Sequence, residues 1–268
     1  MKKYVLDKII SVNTDYRAEE DKAYIITEIG TSSTSKATFY VAGSPVAEFI
    51  NDFAPNFKIN TNLAGPFKLG PTFIVVPQDK LFKFTGASGS TCRIKGTIIE
   101  LEPGEALPGD YMSRYAEQPR KFITYDSGSE TKSEGETISD KEEITIIDHD
   151  VPAGEKHLFN SYLMAAALQD TTLLSADDWS VRIYIDDRPY DIMDWDMGPL
   201  GITHYATPYP PTATTNHHVF SLVEFPFELE PGKNLKIKLV NTSGSDYTVP
   251  TGTTWTGKAL IVYVKEYL

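Results

Sequence analysis

Apolar and polar positions alternate with a period of two along much of this chain, which is the pattern of half-buried strands. In 91–98, Cys92, Ile94 and Ile98 share one face while Arg93, Lys95 and Thr97 share the other. Val181, Ile183 and Ile185 alternate with Arg182 and Tyr184 in the same way, and Leu235, Ile237 and Leu239 alternate with Lys236 and Lys238. Residues 37–41 form a short run rich in aromatic and β-branched side chains, 73–76 is a continuous apolar run stopped by Pro77, and 260–264 reads as a last apolar strand. Clusters such as Ala42-Gly43-Ser44-Pro45, Gly86-Ala87-Ser88-Gly89 and Glu230-Pro231-Gly232 punctuate these runs, as turns do between short strands. Helix is expected only in short pieces, at 46–53, 110–117 and 158–167, and the last fits a buried strand equally well. The fold class is therefore all-β, a sandwich or barrel.

The two halves read alike. Residues 73–81 (FIVVPQDKL) and 227–235 (FELEPGKNL) share F-x-x-x-P-x-x-x-L, and each leads through alternating residues and a small polar loop to a closing strand. Upstream, 37–41 with Gly43-Ser44-Pro45 mirrors 181–185 with Asp187-Arg188-Pro189, and Glu20-Asp21-Lys22 precedes Tyr24 much as Gly154-Glu155-Lys156 precedes Leu158. The same elements in the same order predict a tandem duplication of one sandwich. The expected units are 1–104, a first β-sandwich; 105–140, a connection and surface loop; and 141–268, a second β-sandwich with longer loops. Within the connection, 121–125 reads as a short strand and 127–140 (SGSETKSEGETISD) as a flexible loop.

Composition narrows the function. The 268 residues carry 25 Lys and Arg against 37 Asp and Glu, a net charge of −12, which argues against a chain built to grip nucleic acid phosphates. No apolar run approaches the ~18 residues of a membrane helix, so no membrane insertion is expected, and the first residues lack the apolar core of a secretion signal. One cysteine excludes an intrachain disulfide framework. There is no P-loop, no G-x-G-x-x-G, no H-E-x-x-H and no G-x-S-x-G. The five histidines, His149, His157, His204, His217 and His218, all lie in the second half. His217 and His218 would point to opposite faces of a strand; a site from His204 plus one of them is geometrically possible, but nothing fixes the separation, and no metal site is expected. Calcium is conceivable at Asp191, Asp194 and Asp196, or at Asp148 with Asp150 and Asp186 with Asp187, but the spacing of a calcium loop is absent and turn-forming Asp explains them. No cofactor follows. Cys92, on the apolar face of its strand, reads as core filler.

The aromatics of the second half are the remaining signal. Tyr205 and Tyr209 stand among prolines in a long insertion, and Trp195 and Trp255 stand beside turn-like residues. They either form a contact patch for another subunit or a sugar ring, or cover the open end of their own sandwich.

Two tandem sandwiches in an acidic chain without a catalytic motif, with P-x-G turns at Pro152-Ala153-Gly154 and Pro231-Gly232, resemble the jelly-roll proteins of virions: capsid, turret and phage head-decoration subunits. The resemblance implies two jelly-roll-like domains and a structural role through symmetric assembly, with no catalysis. Its implied partners are the chain itself and other virion proteins, in a virion assembled in the host cytoplasm. The alternative is a carbohydrate- or receptor-binding module, tail-spike-like or secreted, reading a host-surface glycan through Trp195, Tyr205, Tyr209 and Trp255. An enzyme, such as a metal-dependent jelly-roll oxygenase, stands third.

Overall fold

The alternating runs become paired strands. The computed structural model describes residues 1–33, 35–50, 58–60, 63–64, 67–170, 172–174, 178–190, 220–221 and 226–268. The first half contains β1 (Lys2–Ser11), β2 (Asp15–Arg17), β3 (Lys22–Thr31), β4 (Ala37–Val41), β5 (Ser44–Phe49), the short β6 (Lys58–Asn60), β7 (Leu63–Ala64) and β8 (Phe67–Lys68), then β9 (Ile74–Val76), β10 (Leu81–Thr85) and β11 (Thr91–Glu100). Helix α1 (Gly109–Glu117) follows. Next come β12 (Lys121–Lys132), β13 (Thr137–Ile138), β14 (Glu143–Asp150), β15 (Glu155–Phe159), β16 (Tyr162–Gln169), β17 (Thr172–Leu173) and β18 (Trp179–Ile185). The chain closes with β19 (Arg188–Pro189), β20 (Phe220–Ser221), β21 (Phe227–Leu229), β22 (Asn234–Asn241), β23 (Tyr247–Thr248) and β24 (Trp255–Tyr267).

The first unit sets β1–β11–β3–β9 against β2–β10–β4–β5. The second sets β12–β24, flanked in turn by β15 with β21 and by β16 with β20, against β14–β22–β18–β19. Both are two-sheet arrangements of the jelly-roll kind, and the order β1–β11–β3–β9 facing β2–β10–β4–β5 has a parallel in β12–β24–β15–β21 facing β14–β22–β18–β19. Even the turns correspond. Ala42 and Gly43 between β4 and β5 have φ of 51° and 84°, and Asp186 and Asp187 between β18 and β19 have 51° and 61°, the left-handed pair a tight hairpin requires.

Two local expectations are corrected, and the open choice at 158–167 is decided for strand. Residues 46–49 are strand rather than helix, because the Ala42-Gly43 turn folds β5 back along β4. Residues 158–167 divide between β15 and β16, broken at Asn160-Ser161. The polar stretch beginning at Ser127 is no loose loop as far as Lys132: β12 runs through it, paired in unbroken register with β24 from Lys121↔Glu266 to Lys132↔Trp255. Its small residues serve packing, since a Cβ on Gly128 would lie 1.8 Å from the carbonyl oxygen of Ile146 on the facing sheet. Beyond it, Thr137 and Ile138 form β13, paired with β23.

One strand contributes to both cores. On β24, Leu260, Val262 and Val264 belong to the first core, with Phe39, Phe49, Phe82 and Phe84. The intervening Ala259, Ile261 and Tyr263 belong to the second, with Trp179, Phe159 and Phe227. A strand buried on both faces needs no alternation, which is why 260–264 is apolar throughout. β5 and β12 also meet in parallel, at Ala47↔Ile123, so that the sheets run on from one unit to the other.

Candidate functional site

The sequence places His149 and His157 on inward-facing parity of two strands, and the Val151–Gly154 turn between them carries the chain from one sheet of the second sandwich to the other. On β14 the register shifts against β22 between Thr145 and Ile147, after which Ile147 and His149 are buried while Asp148 and Asp150 face solvent. On β15, His157 and Phe159 are buried. The two rings therefore meet across the sandwich, 7% and 1% exposed.

They form a chain of hydrogen bonds. His149 Nδ1 lies 2.9 Å from Asp126 Oδ2 on β12, His149 Nε2 lies 2.7 Å from His157 Nδ1, and His157 Nε2 lies 2.9 Å from Glu155 Oε2. Lys265 Nζ, from β24, stands 3.3 Å from the same Glu155 oxygen. Tyr263 packs its ring on both imidazoles, with centroids 4.9 and 4.7 Å away, and Phe159 meets His149 edge-on.

Proton arithmetic limits what this cluster does. Two neutral imidazoles own two ring protons between them, too few for three contacts when both carboxylates are ionised. Burial pulls His157 below the ordinary imidazole range and outweighs Glu155, which favours the charged ring; the neighbouring His149 adds to the depression. Burial also pushes Glu155 up, but the His157 hydrogen bond and the Lys265 ammonium together hold it below the usual carboxylate range. Burial, and then the charges of Asp126 and Glu155, raise the Tyr263 phenol. Both rings are shut from solvent, so a substrate has no approach; the cluster clasps β14 to β12 and β15.

Trp255, expected as a contact residue, is corrected. It is fully buried in the second core, 5.2 Å from the Trp179 ring, because β24 starts at it with an inward side chain. Trp195, Tyr205 and Tyr209 lie outside the described residues, as do His204, His217, His218, Asp191, Asp194 and Asp196. Among the described residues no group of three or more His, Cys, Asp or Glu side chains is arranged to hold a metal ion. Asp148 and Asp150 both accept from Asn234 Nδ2, at 2.6 and 2.9 Å, while Asp186 and Asp187 bind Lys233 and Lys236 at their turn. Cys92 is buried in the first core, where desolvation raises its thiol far out of reactive range. Asp126, His149, Glu155 and His157 were not singled out as a cluster by sequence, although the shared inward parity of His149 with Ile147 and of His157 with Phe159 is a signal that would have paired them.

No protein-family model matches the chain, and no curated protein does. Among solved structures, it is similar to the PBCV-1 virus capsid, at 7% identity over 100% of this chain and 96% of that one, with a TM-score of 0.32. A turret protein of an archaeal virus, described as a triple jelly roll, aligns with 97% of this chain and 56% of its own, at 10% identity and a TM-score of 0.19. A β-porphyranase of the gut bacterium Bacteroides plebeius aligns with 96% of this chain and 33% of its own, at 9% identity and a TM-score of 0.19. Similarity at this level does not extend to function, which has to be argued from the molecule.

Proposed function

We propose that the chain is a structural subunit of a virion, a capsid, turret or decoration protein that works by symmetric self-assembly without catalysis. The observation that carries this reading is the union of two jelly rolls through a strand buried on both faces, with Leu260, Val262 and Val264 in one core and Ala259, Ile261 and Tyr263 in the other. A body braced in this way is stiff across its whole width and offers fixed side surfaces for repeated contacts. Its chemistry supports the same reading: the histidine cluster and Cys92 face inward and are spent on packing. The excess negative charge suits an exterior position away from a packaged genome. Absolute mass by light scattering across a concentration series tests it. A discrete oligomer, with regular particles or arrays in electron micrographs, is the expected result; a monomer at every concentration overturns self-assembly.

A further inference from the structure

The first strand of each jelly roll occupies an edge of its own unit's sheet, and the two edges are treated differently. On β12 that edge is met by β5 of the neighbouring unit. On β1, the equivalent strand, it is open: β11 pairs one side from Lys2↔Glu100 to Ser11↔Thr91, and no described strand pairs the other. The backbone phase shows which groups face outward. Val12 N–H donates to Ser90 of the β11 side, and Ser11 N–H turns away to the Tyr16 hydroxyl. Continuing the alternation, Lys3, Val5, Asp7 and Ile9 direct both N–H and C=O toward the open edge. Their side chains also share the outer face, because Leu6 and Ile10 point into the core. Val5 is 83% and Ile9 56% exposed there, an unusual display for so long an edge strand.

We infer that β1 is a docking edge for β1 of a second copy, paired antiparallel about a two-fold axis through Val5. This rests on the self-assembly reading and gives it a surface. The register is chosen by charge. With Val5 opposite Val5, Lys3 of each copy lies opposite Asp7 of the other, and Ile9 lies beside Met1. Moving the register one way sets Asp7 against itself or against Val5; moving it the other way sets Lys3 against Val5 or against itself. The chosen register costs two symmetry-related like-charged approaches, Lys2 of each copy to Lys8 of the other. Both lysines are already engaged, Lys2 with Glu100 at 3.7 Å and Lys8 over the Tyr16 ring at 5.3 Å. Asp7 keeps its paired bond from Arg93 and turns toward Lys3 across the axis. A dimer of this kind runs one sheet continuously through both molecules, as β-strand addition does.

The test uses the full chain in light scattering at several concentrations. Val5→Pro removes only an outward N–H, which an edge strand tolerates, and it should leave a folded monomer. Lys3→Asp sets acid against acid at both ends and should weaken the dimer about tenfold, because two favourable cross-strand pairs become repulsive. Asp7→Lys should weaken it likewise, and mixing the Lys3→Asp and Asp7→Lys chains should restore a dimer that neither forms alone. Oligomers unaffected by Val5→Pro and Lys3→Asp would overturn the β1 contact and leave self-assembly standing. A wild-type chain monomeric throughout would overturn both. Circular dichroism of each variant separates lost pairing from lost folding.

Discussion

The two jelly rolls share one wiring and fill it differently. The first is dry: Phe39, Phe82, Phe84 and Tyr24 pack as an aromatic cluster with Leu6, Ile10 and Ile94 around it. The second stacks Trp179 on Trp255 at one end and holds His149 and His157 at the other, tied to Asp126 and Glu155. The same strand order thus accepts either an apolar or a titratable filling. What it fixes is the inward parity of each strand, and the residue types on that parity decide whether the unit is indifferent to pH or responsive to it.

The sharpest way to break the comparison is to empty each core in turn. Trp255→Ala and Phe84→Ala should each cost about 3–5 kcal/mol in denaturant unfolding, since both side chains are fully buried. Leu260→Ala and Ile261→Ala are neighbours in sequence and should each cost about 2–5 kcal/mol. Hydrogen exchange should show the first loosening β4, β5 and β10, and the second loosening β14, β18 and β22. Matching exchange maps would refute the division of β24 between two cores.

Acid should separate the units next. His157 lies below its ordinary value of ~6.5 in the fold, so just below that pH the unfolded chain binds more protons, and stability rises with pH through this window and falls on acidification. Glu155 and Glu143 are held low, so their contribution is present above about pH 4.3 and is lost as pH falls through their folded values. Between about pH 7.5 and 5.5 the second unit should therefore lose exchange protection before the first. In His157→Phe that early loss should shrink, at a cost of about 1–3 kcal/mol for the partners left unsatisfied. Equal loss in both units, or an unchanged profile in the variant, would remove the clasp from the account. The smallest effect is expected at the matched hairpin turns: Gly43→Ala should lower the unfolding free energy by about 1 kcal/mol or less through its positive φ alone, because nothing lies within 4 Å of the added carbon.

Strand content was legible because alternation and turn chemistry are local. Cys92, Ile94, Val181, Ile183, Leu235 and Ile237 all face inward as their spacing predicts. The short helix is legible too, expected at 110–117 and found as Gly109–Glu117. The start of β12 was legible at 121–125, but its continuation was not, because Ser127, Gly128 and Ser129 owe their strand to pairing with Leu260, Ala259 and Lys258 far along the chain. Trp255 was misjudged for a related reason: Thr253 and Thr254 before it read as a turn, while the side chain belongs to the strand that follows. The histidine clasp needs four residues from three strands, two of them in the facing sheet, and no single stretch of sequence carries that.

The double use of β24 also dictates an order of events. The first jelly roll draws Leu260, Val262 and Val264 into its core, so its own residues up to Glu100 do not close it. As the chain leaves the ribosome, the part of the first core that these β24 residues fill stays open until more than another hundred residues have followed. The unit made first closes only when the second does, through the same strand, and an exposed partial core of this kind invites chaperones before it is ready for assembly.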